Sequence, residues 1–244
     1  MRNLRLDLCY EGTRYRGWQR LSHTDNSIQT KLETALSRIL EEPIEVIASG
    51  RTDAGTHAKH QVVNFHCQSN LSCDEILSQL RRYLPEDIGI YSCRDVSERF
   101  HARYNAKTKT YVYRVWNSDQ PCVFERKFVY IDPRPLDLEN MRKAAEAFLG
   151  EHDFTAFCSN KRMNKSAFRC IHRLDILSAE NEIVFIVCAN GFLHHMVRIL
   201  VGTLLEVGRG VRSPESIPEL FYGKREDAGE LIPASGLCLM EVTY

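Results

Sequence analysis

Two hydrophobic periods alternate along this chain, and that alternation restricts it to a mixed α and β fold before any motif is considered. Residues 4–10, Leu-Arg-Leu-Asp-Leu-Cys-Tyr, alternate with period two, which places the leucines on one face of a pleat and predicts a half-buried strand. After a Gly-containing loop, Ile28, Leu32, Ala35, Leu36, Ile39 and Leu40 recur at helical spacing behind Ser27. Ser27 can cap such a helix and Pro43 stops it. Residues 44–48 are predicted as a short strand running into Ser49-Gly50-Arg51-Thr52-Asp53-Ala54-Gly55, with a further strand at 62–66. Ser72 and Glu75 have capping-box spacing before Ile76, Leu77 and Leu80. Residues 88–96 close the first half as a strand.

The second half repeats the style. Strands are predicted at 110–116, 127–131, 172–178, 183–189 and 237–243. Helices are predicted at 138–149, ended by Gly150, and at 194–207, ended by Gly208; a short one starts at Ser213 with Pro214 in its first turn. The fold class is therefore α+β. Two lobes, residues 1–105 and 106–244, each carry a mostly antiparallel sheet with helices on one face, and the active-site cleft is expected between them.

Composition narrows the setting. With 43% hydrophobic residues and 32 Lys+Arg against 32 Asp+Glu, the chain is neither disordered nor uniformly charged. Its longest apolar run, residues 183–189, is far short of the ~20 residues that span a bilayer, and residues 1–8 lack the apolar stretch of a signal peptide. No membrane is expected and the chain reads as cytoplasmic. The nine cysteines include no C-x-x-C pair, so disulfides and zinc are not expected. Cys9, Cys188 and Cys238 fall in strand-like runs as small hydrophobes.

Zero net charge conceals a strong segregation. Arg99, Arg103, Lys107, Lys109 and Arg114 fall in a stretch with no acid, as do Lys161, Arg162, Lys165, Arg169 and Arg173, while acids gather at 137–151 and 215–230. If the basic stretches converge they form a face that neutralises phosphates. Tyr104, Tyr111, Tyr113, Phe154 and Phe157 lie among them, and aromatic rings stack splayed RNA bases.

The most informative segment is residues 50–57. Two glycines flank Asp53 where a strand ends, permitting backbone dihedrals and a close ligand approach that other residues resist. Arg51 and His57 could contact a substrate there. The same pattern also describes an ordinary Asp-containing turn, and spacing alone favours the turn.

Gly50-Arg51-Thr52-Asp53-Ala54-Gly55-Thr56-His57-Ala58 nevertheless closely resembles the signature of the tRNA pseudouridine synthase A family. The resemblance extends through Tyr10-Glu11-Gly12-Thr13, Tyr15, Gly17-Trp18-Gln19-Arg20, Phe100-His101-Ala102-Arg103, Tyr111 and Tyr113. It ends with Phe192-Leu193-His194-His195-Met196-Val197-Arg198 and Gly236-Leu237-Cys238-Leu239. Departures are small: Thr56 stands where the family usually has Val, Glu11 where it has Asp, and Lys59-His60 fills a variable spot.

The resemblance implies an enzyme that breaks the N1–C1′ bond of a uridine, turns the uracil and rejoins it through C5, with no cofactor and no metal. It implies Asp53 as the nucleophile. Attack at C1′, attack on the ring, or passage through a glycal all stay open. A carboxylate suits the task but needs a fixed cation to stay ionised in a partly dry pocket, and Arg198 matches that partner. Tyr111 matches the tyrosine that stacks on the base and helps remove the C5 proton. Because alternation sends Tyr111 and Tyr113 to one face, core packing of either stays open. Leu239 matches an apolar residue under the pocket, Arg51 the arginine associated with flipping the nucleotide out of its stack, and His194-His195 a structural or RNA-contacting pair. The implied partners are tRNA, with targets usually at positions 38–40 of the anticodon stem-loop, and a second copy in a homodimer. The rival readings are a non-catalytic RNA-binding module of the same fold, a synthase for other RNA positions, and an Asp-dependent glycosidase or nucleotide hydrolase. The last usually needs a second carboxylate, and none lies near Asp53 in the sequence.

Overall fold

A computed structural model describes residues 1–160 and 166–244, so Lys161, Arg162 and Lys165 lie outside the described residues. The chain divides into two compact units, Met1–Lys107 with Cys238–Tyr244, and Thr108–Leu237. Among the described residues there are ten strands, mostly antiparallel, and four α-helices, as the two periods require.

In the first unit β1 (Arg2–Tyr10) is the central strand. It runs antiparallel to β3 (His57–Cys67) on one side and to β4 (Ile88–Val96) on the other; β2 (Ile47–Ala48) joins β3 antiparallel. The strand β10 (Leu237–Thr243) lies parallel on β3, with Cys238 opposite His57 and Leu239 opposite Ala58. Sequence patterning placed residues 238–244 with the second half, whereas these backbone pairs tie them to the first. No local periodicity reports such a long-range pairing.

Leu4, Leu6 and Leu8 are fully buried, as are Ile28, Leu32 and Leu36 of α1 (Ile28–Leu40) and Ile76 and Leu80 of α2 (Cys73–Tyr83). The Ser27 cap forms, and so does the Ser72–Glu75 capping box. β1 is not half-buried, however. Its polar face is covered too, with Arg5 9% and Asp7 7% exposed. Arg5 lies under the rings of Phe100 and Tyr244, and its guanidinium donates to Asp7 Oδ1 at 2.6 Å. Asp7 also meets His60 at 2.9 Å and accepts from Ser92 Oγ at 2.8 Å. Burial pushes this carboxyl up, but the hydrogen bonds from Arg5, His60 and Ser92 outweigh it and hold the pKa below the ordinary value.

The second unit orders its strands β5-β9-β8-β7, antiparallel throughout. These are β5 (Thr108–Trp116), β7 (Gly150–Asp153), β8 (Phe168–Ala179) and β9 (Glu182–Ala189); β6 (Tyr130–Ile131) adds parallel to β5. The strand predicted at 127–131 shrinks to those two residues because Phe128 is held in a turn by Glu125. The helix predicted to 149 ends earlier, as α3 (Leu138–Glu146). Ala147, Phe148 and Leu149 then bond three residues back, a tightened last turn before Gly150 at φ 91°. From Ser213 the chain forms a 3-10 helix, Pro214–Tyr222, since Pro218 has no N–H to continue an α-helix.

Helix α4 (Met196–Gly208) is buried along almost its whole length. Residues 229–232 cross it so closely that a Cβ on Gly202 would stand 2.1 Å from the Glu230 carbonyl oxygen. Thr203 Oγ1 accepts the Gly229 amide at 2.9 Å at the same crossing. No disulfide joins any of the nine cysteines; Cys9, Cys188 and Cys238 are half-buried rather than buried.

Two outcomes are expected. Asp7→Asn leaves the Arg5 guanidinium buried without its counter-charge and should cost about 3 kcal/mol at pH 7. Because the folded pKa is depressed, the wild-type advantage is present above the unfolded value of about 3.9 and lost as pH falls through the depressed one. Denaturant melts of the two proteins should therefore converge in acid. Gly202→Ala in a helix interior ordinarily stabilises, but here it should destabilise by about 2 kcal/mol through overpacking, read as a lower denaturation midpoint.

Candidate active site

The Asp53 loop is anchored at both ends. Before it, the Ser49 amide donates to the Val62 carbonyl at 2.8 Å, and Gln61 Nε2 donates to the Gly50 carbonyl at 3.0 Å. Ser49 Oγ donates to Gln61 Oε1 at 2.5 Å. After it, the Thr56 amide donates to the Asp53 carbonyl at 3.1 Å, and Gly55 has φ 80°. A positive φ confined to the third residue makes residues 53–56 a type II turn, which requires glycine there. The two readings of the motif thus merge: the segment is a turn, and it starts on a half-buried carboxylate.

The segment at residues 10–18 clamps this turn. The Trp18 amide donates to the Thr52 carbonyl at 3.0 Å and the Gly55 amide to the Tyr15 carbonyl at 3.3 Å. The Tyr10 and Thr52 hydroxyls bond at 2.8 Å; burial raises the Tyr10 phenol far above its ordinary pKa, so it stays neutral. A Cβ on Gly12 would lie 2.0 Å from the Thr56 carbonyl oxygen. Gly17, at φ 90°, approaches Asp53 itself: its Cβ would lie 3.0 Å from the Asp53 carbonyl carbon. Residue-by-residue reasoning missed this clamp, although its signal, Tyr10, Gly12, Gly17 and Trp18, stood in one of the quoted motifs.

In the same unit Arg51 is exposed beside the turn, and Leu239 is 1% exposed on β10. His57 is buried, and its Nδ1 accepts the Gly12 amide at 3.0 Å. It therefore faces the clamp.

In the second unit both tyrosines are buried. Tyr113 is fully buried and donates to the Pro233 carbonyl at 2.7 Å; burial raises its phenol far above the ordinary range. It is a core residue, and Gly236 packs directly against its ring. Tyr111 sits edge-on to Phe192 at 5.0 Å. Arg198 lies in the first turn of α4, and its Nε donates to the Ile232 carbonyl at 2.8 Å, so the crossing at Gly202 also sets this arginine. His194 and His195 precede α4 rather than beginning it. Their rings stack at 3.6 Å, with His195 at φ 66°.

Among the described residues of the two basic stretches, some arginines are paired with acids. Arg114 is held by Glu182 at 2.7 Å and Glu125 at 2.8 Å, and Arg173 by Asp175. Arg99, Arg103 and Lys107 are exposed.

A carboxylate turn clamped between β2 and β3 of an α+β unit is the frame onto which known proteins can be laid. The chain matches the family described as tRNA pseudouridine synthase over residues 9–105 and 144–244, and it belongs to that family. Among curated relatives, "tRNA pseudouridine synthase A" of Bacillus sp. (strain KSM-64) is 44% identical over the full length of both chains. "tRNA pseudouridine synthase A 1" of Clostridium tetani (strain Massachusetts / E88) is 46% identical, again with 100% of each chain covered. A solved Cbf5-Nop10-Gar1 complex contains a chain that aligns with 97% of this one and 48% of its own length, at 12% identity and a TM-score of 0.39.

One consequence can be measured directly. Thr56 Oγ1 is buried with no hydrogen-bond partner, and a buried orphan hydroxyl costs roughly 1–3 kcal/mol. Thr56→Val keeps the shape and removes the hydroxyl. It should stabilise the protein by about 1 kcal/mol, seen as a thermal midpoint roughly 2–4 °C higher.

Proposed function

We propose that this chain converts uridine to pseudouridine in tRNA, with Asp53 as the catalytic carboxylate. The observation that carries the reading is the Asp53 turn, clamped on both sides within a chain that matches tRNA pseudouridine synthases over most of its length. The reaction is an isomerisation: the N1–C1′ bond breaks, a C5–C1′ bond forms, the C5 proton leaves and N1 gains one. Every heavy atom of the uridine is retained, so the balance needs no oxidant, reductant or group carrier.

In this reading Asp53 forms the covalent bond or stabilises the cation that develops at C1′. Family likeness supports Arg198, whose Nε is held by the Ile232 carbonyl, as the cationic residue of the same reaction. Tyr111 stacks on the uracil and assists loss of the C5 proton. Leu239 supplies an apolar floor, and exposed Arg51 helps hold the nucleotide out of its stack, which costs a few kcal/mol. Exposed Arg99, Arg103 and Lys107 contribute contacts to RNA phosphates. Family likeness supports uridines at positions 38–40 as targets, a homodimer as the working form and the cytoplasm as the compartment. No described helix is long and apolar enough to cross a membrane.

The test is tritium release from tRNA labelled with 5-³H-uridine, without added metal. Wild type should release tritium, and Asp53→Asn should be slower by on the order of 10⁴-fold or more. Salt-sensitive tRNA binding without release from wild type would instead support a binding module.

A further inference from the structure

The residue that follows the catalytic turn has a use that the reaction itself does not assign. His57 opens β3 and is buried, 4% exposed. Its Nδ1 accepts the Gly12 amide, so in the neutral ring the proton sits on Nε2. The Glu11 carboxylate stands 3.9 Å from the same Nδ1 and already accepts the Thr13 amide at 2.8 Å. Gly12 in turn accepts the Tyr15 amide at 3.0 Å, and the Tyr15 carbonyl accepts the Gly55 amide. From His57 the chain of bonds therefore runs out through Gly12 and Tyr15 and returns to Gly55, two residues from Asp53. The glycine is obligatory at the point of contact, since any side chain on residue 12 would run into the Thr56 backbone.

We propose that His57 is a positioning residue: its Nδ1 latches the segment at residues 11–18 onto the Asp53 turn, and through it sets the backbone that aims the carboxylate. The proposal rests on the reading of Asp53 as the catalytic group. Reactions of this kind are sensitive to small displacements, and a shift of about 1 Å in a reacting group costs on the order of 10²-fold in rate. Binding of tRNA, which is spread over many phosphate contacts, is not sensitive in this way.

Two polar substitutions separate latching from mere bulk. Asn places its side-chain oxygen near the position of Nδ1, whereas Gln carries it out to that of Nε2. His57→Asn should keep the single-turnover rate within about threefold of wild type, and His57→Gln should lose about 100-fold, with tRNA affinity unchanged in both. Equal rates for the two variants, or a loss confined to tRNA affinity, would overturn the latch. Asp53→Asn is run beside them. If it retains activity, the reading of Asp53 fails; if it is inactive while His57→Gln is fully active, only the latch fails. Should either His57 variant not fold, ¹⁵N spectra of the wild-type histidines decide the matter. A neutral ring protonated at Nε2, with scalar coupling between Nδ1 and the Gly12 amide nitrogen, is expected, and an Nδ1-protonated ring would refute it.

Discussion

Everything proposed for this protein depends on one close approach of backbone to backbone. The segment after β1 packs against the Asp53 turn at distances that leave no room for side chains at Gly12 or Gly17. Trp18, Gly55 and Thr52 exchange main-chain hydrogen bonds across the seam. A carboxylate on a free surface loop would sample many orientations. Here the residues on both sides of Asp53 are fixed by main-chain bonds, so its backbone is held in place, and in the proposed reading such pre-organisation is where positioned catalysts gain most of their rate.

The same economy appears in the second unit. Gly202 and Gly229 let the chain at 229–232 lie across α4, and that crossing presents the Ile232 carbonyl to Arg198. In both units, then, a glycine in an unusual place is explained by a neighbouring backbone, and the neighbour leads to a proposed site residue. Asp7 and Arg5 show the complementary case. Arg5 is buried under Phe100 and Tyr244, and the pair is tolerated because Arg5 donates to Asp7, which His60 and Ser92 satisfy further.

How much of this was legible beforehand varied residue by residue. The Ser27 cap, the Ser72–Glu75 box and the leucine face of β1 were readable because they depend on side chains a few positions apart. The covered polar face of β1 was not, because Tyr244 and Phe100 reach it from far along the chain. Tyr111 and Tyr113 were indistinguishable by alternation, and both are buried; Tyr113 donates to the Pro233 carbonyl and Tyr111 sits edge-on to Phe192. Charge segregation along the chain did not show that Glu125, Glu182 and Asp175 pair with Arg114 and Arg173.

By itself the sequence determined the α+β class, most helices and strands, and the family, through motifs around Asp53 and Arg198 that local spacing and residue chemistry express directly. Only the tertiary structure decided that β10 returns to β3, that His57 faces the clamp, and that Thr56 carries an orphan hydroxyl. Those features arise from pairings between residues distant in the chain, whose free energy comes from burial and hydrogen-bond geometry that no local pattern encodes.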